Sequence, residues 1–236
     1  MSVPVRFSDV HFAWPGGAVL AAGLDLSVEP GTVTAIVGPS GCGKSTLLRL
    51  AAGLLVPQRG TVETAEGPRA FVFQQPNLLP WRDVAENVGL PLELAGRTDP
   101  NAVADALDRV GLADAARKLP HELSGGMQMR ASLARALVTH PVLMLLDEPF
   151  SALDALTRRR MHAEFLGLWE AGQFTTLLVT HDIEEGLLLS DRIVVVDGPP
   201  VRVVADQPVP YARPRAPSLV HEPEVGRAIE QIEALL

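Results

Sequence analysis

At 236 residues with 47% apolar side chains, the chain is long enough for one large domain or two small ones around a substantial core. No run approaches the roughly 18 uninterrupted apolar residues that a bilayer span needs, and a net charge of −8 argues against general nucleic-acid binding. The single Cys42 excludes an internal disulfide. No basic region followed by an apolar stretch stands at the N-terminus, so no secretory signal is expected and a cytosolic chain is.

Short β-branched runs predict strands over residues 3–10, 24–28, 33–37 and 70–73, with Gly and Pro between them. Residues 84–138 are instead rich in Ala and Leu at helical spacing, as in Val103, Leu107 and Val110, with Pro120 as a breaker. Strand-like runs return at 142–146, 175–180 and 192–196. Apolar runs with little alternation suit strands covered on both faces, as in a parallel sheet. The expectation is an α/β core interrupted by a helical insert and resuming near residue 141. Residues 198–223 carry many prolines and are expected to wrap the surface. Residues 224–236 predict a terminal amphipathic helix, with Val225, Ile229, Ile232 and Leu236 on one face.

The most informative stretch is Gly38-Pro39-Ser40-Gly41-Cys42-Gly43-Lys44-Ser45-Thr46, a full match to the phosphate-binding pattern G-x-x-x-x-G-K-[ST]. It follows a buried-strand pattern and opens a helical one, which is the context the motif needs. The glycines let the backbone wrap an anion with its N–H groups, and the helix start adds partial positive charge. Lys44 is then expected to reach the β- and γ-phosphates of a nucleotide, and the Ser45 hydroxyl to ligate Mg²⁺. Cys42 reads as a small apolar filler whose alkylation would inhibit.

A second constellation closes the run Val142-Leu143-Met144-Leu145-Leu146 with Asp147-Glu148-Pro149. A hydrophobic strand ending in two acids sets both at the carboxyl edge of the sheet, where α/β proteins bind ligands. Asp147 can hold the hydration shell of Mg²⁺, and Glu148 can polarise a water for attack on the γ-phosphate.

A third motif, Leu123-Ser124-Gly125-Gly126-Met127, precedes a helical pattern, so Ser124 and the two glycines can offer donors to an anion. With these residues assembled in this order, the chain resembles the nucleotide-binding subunits of ABC transporters over roughly residues 3–205, and LSGGM is similar to that family's signature sequence. The resemblance implies a P-loop NTPase fold with a RecA-like core, an N-terminal antiparallel β subdomain and an inserted helical subdomain. It implies one ATPase domain over 1–236, with 1–76 and 141–205 as β and core parts, 77–140 as the helical part and 206–236 as a tail. Gln74 matches the loop that senses the γ-phosphate through Mg²⁺ and contacts the permease. Asp154, in Ser151-Ala152-Leu153-Asp154, matches the loop that crosses to a partner subunit, and His181 matches the switch histidine at the γ-phosphate. Trp14 falls where the family carries an adenine-stacking aromatic, with Phe12 as its rival and a plain packing role as the alternative. The signature departs from the family after Met127: Gln128 comes one position early and Met129 stands where Gln is usual.

The family likeness implies a homodimer in which ATP and Mg²⁺ lie between Lys44 of one subunit and Ser124 and Gly126 of the other. It also implies permease subunits in the membrane, a solute-binding protein acting indirectly, no nucleic acid, and a position on the cytoplasmic face of the bacterial inner membrane. Asn77-Leu78-Leu79-Pro80-Trp81-Arg82 and Asp154-Ala155-Leu156-Thr157-Arg158 resemble importer ATPases for nitrate, sulfonate and taurine, a group that includes bicarbonate and pyrimidine- or thiamine-precursor systems. Leu78, Leu79 and Trp81 would suit a groove for a permease helix, or else pack inside the helical insert. The rival reading is a soluble ATPase of a cluster-assembly complex. The two importer-like segments argue against it.

Overall fold

The computed structural model describes residues 5–64 and 66–236. Val3 and Pro4, expected in the first strand, lie outside the described residues. In chain order come β1 (Val5–Ala13), β2 (Val19–Val28), β3 (Val33–Val37), α1 (Lys44–Ala51) and β4 (Arg59–Glu63). These are followed by β5 (Arg69–Val72), α2 (Val84–Leu94), α3 (Pro100–Arg109), α4 (Gly125–Leu137), β6 (Leu143–Asp147) and α5 (Ala155–Gly172). Then come β7 (Thr175–Thr180), α6 (Ile183–Leu189), β8 (Arg192–Asp197), β9 (Arg202–Pro208) and α7 (Pro223–Glu233). The chain divides into two compact units: one runs to Glu66 and resumes at Phe174, the other is Gly67–Gln173.

In the first unit, β1 pairs antiparallel with β2 on one side and with β4 on the other. Its alternation buries Val5 and Phe7 and exposes Arg6, as a half-covered strand requires. The register shifts beyond Phe7, around Asp9 with its φ of 47°. Gly60 lies opposite, where a Cβ would sit 2.2 Å from Asp9 O, so the bulge can pass only a glycine.

The same unit holds parallel strands in the order β7-β3-β8, with β9 antiparallel at the edge. All five residues of β3 and all six of β7 are buried, which explains their unbroken apolar and threonine pattern. The register pairs Val37 with Thr180, so the chain leaving β3 and the chain leaving β7 emerge at one sheet edge. That edge is where open α/β sheets bind ligands. The proline-bearing segment after residue 198 is not only a surface wrap: it contributes β9, held to β8 by the Arg192–Asp206 ion pair. The single proline of β9, Pro208, falls at the strand's last residue, where an edge strand tolerates it. Helix α7 buries Val225 and Ile232 against Ala35, Val37, Ile183 and Leu187.

In the second unit, β5 and β6 pair in parallel, Val72 opposite Leu146. Helix α2 begins with a reciprocal cap: Glu86 N donates to Asp83 Oδ1 at 2.8 Å and Asp83 N to Glu86 Oε2 at 2.9 Å. Helix α3 is capped by Asp99 and has Pro100 at its first position. Fully buried Asn87 ties down the loop before α2, accepting from Leu79 N at 2.7 Å and donating to Leu79 O and Arg82 O.

Candidate functional site

The phosphate-loop residues lie in the first unit, between β3 and α1. Gly41 and Gly43 have φ of 83° and 117°, a region closed to most side chains. A Cβ on Gly38 would meet Val196 O at 2.2 Å, whereas one on Gly41 would meet nothing within 4 Å. The loop is therefore packed tightly at its start and open at its crest, over Ser40 and Gly41. Lys44 is only 5% exposed, and its Nζ donates to Gly38 O at 2.6 Å and Pro39 O at 2.8 Å. A buried ammonium held by neutral carbonyls of its own loop is well placed to receive an anion. Ser45 is half-buried and Thr46 buried at the start of α1. Cys42 is 1% exposed, and burial pushes its thiol above the usual value. His181 follows the last residue of β7 and is exposed at the same sheet edge as this loop.

Trp14 and Phe12 meet edge-to-face at 5.3 Å between ring centres. Phe12 is buried, 7% exposed, while Trp14 is 39% exposed. Trp14 is the one whose ring is open to a flat ligand, and Phe12 supports it from below.

The acidic constellation lies in the second unit. Asp147 ends β6 and is buried, and Glu148 turns out of the strand half-buried with φ of 46°. A non-glycine residue in the left-handed region costs about 1–3 kcal/mol and persists where surrounding contacts fix it. Here Ser151 fixes it: its N–H and hydroxyl both donate to Glu148 O, at 3.3 and 2.9 Å. The Gln74 amide Nε2 donates in turn to Ser151 Oγ at 3.2 Å, leaving its carbonyl oxygen as the end for a cation. The loop after Gln74 is anchored by Arg135, which donates to Pro76 O at 2.6 Å and Asn77 O at 2.8 Å. Burial lowers the Arg135 guanidinium from its ordinary value. Ser45 in the first unit, and Asp147 and Gln74 in the second, each carry a hydroxyl, carboxylate or amide oxygen of the hard kind that Mg²⁺ takes.

Ser124 caps α4, its Oγ accepting from Met127 N at 3.3 Å, with Ser124 and Gly125 exposed. Gly126 is needed for space as well: a Cβ there would lie 2.7 Å from Thr157 Cγ2. Asp154 caps α5, accepting from Leu156 N and Thr157 N, and contact with Thr157 holds its carboxyl below the usual range. The departure at Met129 has a physical explanation. Met129 is 1% exposed and fills the core, while Gln128 donates to Pro120 O at 3.0 Å and braces the signature loop.

Sequence reasoning missed three residues that hold this unit's loops: Asn87, Arg135 and Ser151. Ser151 carried a signal in its place within Ser151-Ala152-Leu153-Asp154. Asn87 and Arg135 carried none, because their partners are backbone carbonyls and amides that sequence spacing does not reveal. A groove of about 850 Å³ in the same unit is lined by Trp81, Ala85, Gly89, Leu92, Val103 and Leu107, with Trp81 73% exposed. Leu78 and Leu79 are half-buried beside it in sequence.

The ABC transporter family profile matches residues 21–151. A protein of Pseudomonas syringae pv. syringae (strain B728a), named aliphatic sulfonates import ATP-binding protein SsuB 1, is 47% identical over 205 residues, 87% of this chain and 85% of the relative. A protein of the same name from Paraburkholderia xenovorans (strain LB400) is 50% identical over 206 residues, 85% of this chain, and this chain spans 59% of that relative's length. The solved dimeric, post-hydrolysis structure of the ATP-binding cassette MJ0796, bound to ADP and Pi, matches with a TM-score of 0.75 at 28% identity, over 88% of this chain and 100% of that one. With a matching profile over more than half its length and such relatives along most of it, the chain belongs to the ABC transporter family.

Proposed function

We propose that the chain is the ATP-hydrolysing subunit of an importer for aliphatic sulfonates or a similar small anion such as taurine or nitrate. The observation that carries the nucleotide chemistry is the buried Lys44 ammonium, held by the Gly38 and Pro39 carbonyls of its own loop. It supports a role in gripping the β- and γ-phosphates as the loop N–H groups wrap them. Trp14 stacks on the adenine. Mg²⁺, held by Ser45, Gln74 and Asp147, would neutralise charge developing on the phosphates. Glu148 accepts a proton from the attacking water, and His181 donates a hydrogen bond to the γ-phosphate.

Two copies work together in this reading. Ser124, Gly125 and Gly126 of one copy meet the nucleotide held by Lys44 of the other, and Asp154 crosses between them. Contacts that need the γ-phosphate close the dimer with ATP and release it after hydrolysis. The groove beside Trp81 receives a permease helix on the cytoplasmic face of the bacterial inner membrane. No helix among the described residues is long and apolar enough to cross a membrane. In this reading the solute path belongs to that permease and a solute-binding protein. The sulfonate preference rests on the names of relatives at 47% and 50% identity.

The test is uptake of a labelled alkanesulfonate by cells lacking the chain. Restoration by the wild-type chain and not by Lys44→Ala supports the reading. Undiminished uptake without the chain, or full rescue by Lys44→Ala, rejects it.

A further inference from the structure

Helix α6 has only seven residues, Ile183 to Leu189, and so little cooperativity of its own. Its N-terminal end is the turn that carries His181. Asp182 pins that turn, its N–H donating to Thr180 Oγ1 and its carboxylate accepting from Glu185 N, both at 3.0 Å. At the other end, a helix leaves its last carbonyls without intrahelical partners. Ser190 spends both its N–H and its hydroxyl on Gly186 O, at 3.0 and 2.7 Å.

The later carbonyls are taken from a distance. Arg215 Nη1 donates to Leu187 O at 2.8 Å and to Ser190 O, across 28 and 25 residues of chain. Arg213 Nη2 donates to Leu189 O and pairs with Asp191 at 3.1 Å. The Asp191 carboxylate also accepts from Val33 N at 2.8 Å, at the first residue of β3. Arg215 Nε is itself steadied by Tyr211 O at 2.9 Å. Two cations at a helix C-terminus also complement its dipole. Helix α7 seals the arrangement by packing Val225 and Ile232 in one cluster with Ile183 and Leu187.

We infer that Arg215 is a positioning residue for ATP hydrolysis: it grips the C-terminal carbonyls of α6 and so holds the His181 turn at the sheet edge where the phosphate loop leaves β3. This rests on the role proposed for His181. The C-terminal segment is then part of the hydrolytic apparatus, acting through α6 on the His181 turn.

The test uses the full chain with Arg215→Gln, Arg215→Lys, His181→Ala and, as a control for tail charge, Arg227→Gln. Arg215→Gln is expected to lower kcat about tenfold while KM for ATP stays within about twofold, because the contact at stake strengthens in the transition state. Arg215→Lys keeps the charge but not the planar fork over two carbonyls and recovers only part of the rate, Arg227→Gln is unchanged, and His181→Ala loses about a hundredfold. Amide hydrogen exchange in Arg215→Gln rises at residues 183–190 and not elsewhere. Wild-type kcat in Arg215→Gln beside a dead His181→Ala overturns the inference and leaves the function standing. Active His181→Ala overturns both the role of His181 and the inference. A rate loss matched by chain-wide exchange and a lower Tm also overturns it. Should Arg215→Gln fail to fold, Arg215→Lys decides: reduced kcat at unchanged Tm supports the inference, and wild-type kcat with unchanged exchange at 183–190 overturns it.

Discussion

The Ser151 hydroxyl donates to Glu148 O at 2.9 Å and closes the turn in which Glu148 is held at a φ of 46°. The residue expected to activate water is thus kept in a backbone state that its side chain disfavours. Glu148→Gly should raise stability by about 1 kcal/mol, because glycine reaches this φ without strain, while abolishing ATP hydrolysis. Thermal melting and phosphate release from the same preparation check both halves. A less stable Glu148→Gly protein would show that the turn is unstrained.

Gly126 sits where any Cβ would press on Thr157 Cγ2 at 2.7 Å. Threonine is stiff at χ1 and cannot easily yield. Gly126→Ala should cost about 1–3 kcal/mol by overpacking and lower the ATPase rate. Adding Thr157→Ser removes the methyl and should restore the stability. Urea unfolding of the single and double variants checks this, and a double variant as unstable as the single would refute the contact.

Trp14 and Phe12 touch each other but have different surroundings. Trp14→Ala should raise KM for ATP about tenfold with kcat nearly kept, since a ground-state stacking contact is lost. Phe12→Ala removes a buried ring and should instead destabilise the fold by about 3 kcal/mol or more. Steady-state kinetics beside melting curves separate the two, and an unchanged KM in Trp14→Ala removes it from the nucleotide.

Cys42 is buried with its thiol pushed up. The thiolate is the reactive form, so iodoacetamide at pH 8 should label the folded chain far more slowly than the chain in urea, and labelling, once forced, should abolish ATPase activity. The linkage sign follows from the same shift. The unfolded chain loses this proton at lower pH than the folded chain, so the stability is fully present below the unfolded thiol value, about 8.5, and declines as pH rises through the higher folded value. Between pH 8 and 10 the wild-type chain should lose stability more steeply than Cys42→Ala. Parallel slopes would contradict the burial of the charge.

The strands beneath the site were legible because their burial writes a pattern. β3 and β7 occupy residues 33–37 and 175–180, as their unbroken apolar and threonine runs predict. Helix α4 falls within the stretch of helical spacing over 84–138, running from Gly125 to Leu137, and starts at Gly125 because Ser124 caps it. β4 and β9 were not legible: β4 is almost wholly exposed and β9 is an edge strand among prolines, so neither buries a periodic face. In the candidate site the phosphate loop and acidic strand declared themselves by residue type and spacing. The residues that fix their geometry did not. Ser151, Arg135 and Arg215 act on main-chain carbonyls, in the last two cases across 58 and 28 residues, and any carbonyl looks alike in a sequence.

In the proposed cycle, ATP joins two copies through Lys44 and the Ser124 signature, and Glu148 ends the joined state. Light scattering of Glu148→Gln after gel filtration, with ATP and Mg²⁺ and then with ADP and Mg²⁺, tests it most directly. A dimer with ATP, a monomer with ADP and no turnover are expected. A monomer under both conditions, or hydrolysis at the wild-type rate, would contradict it.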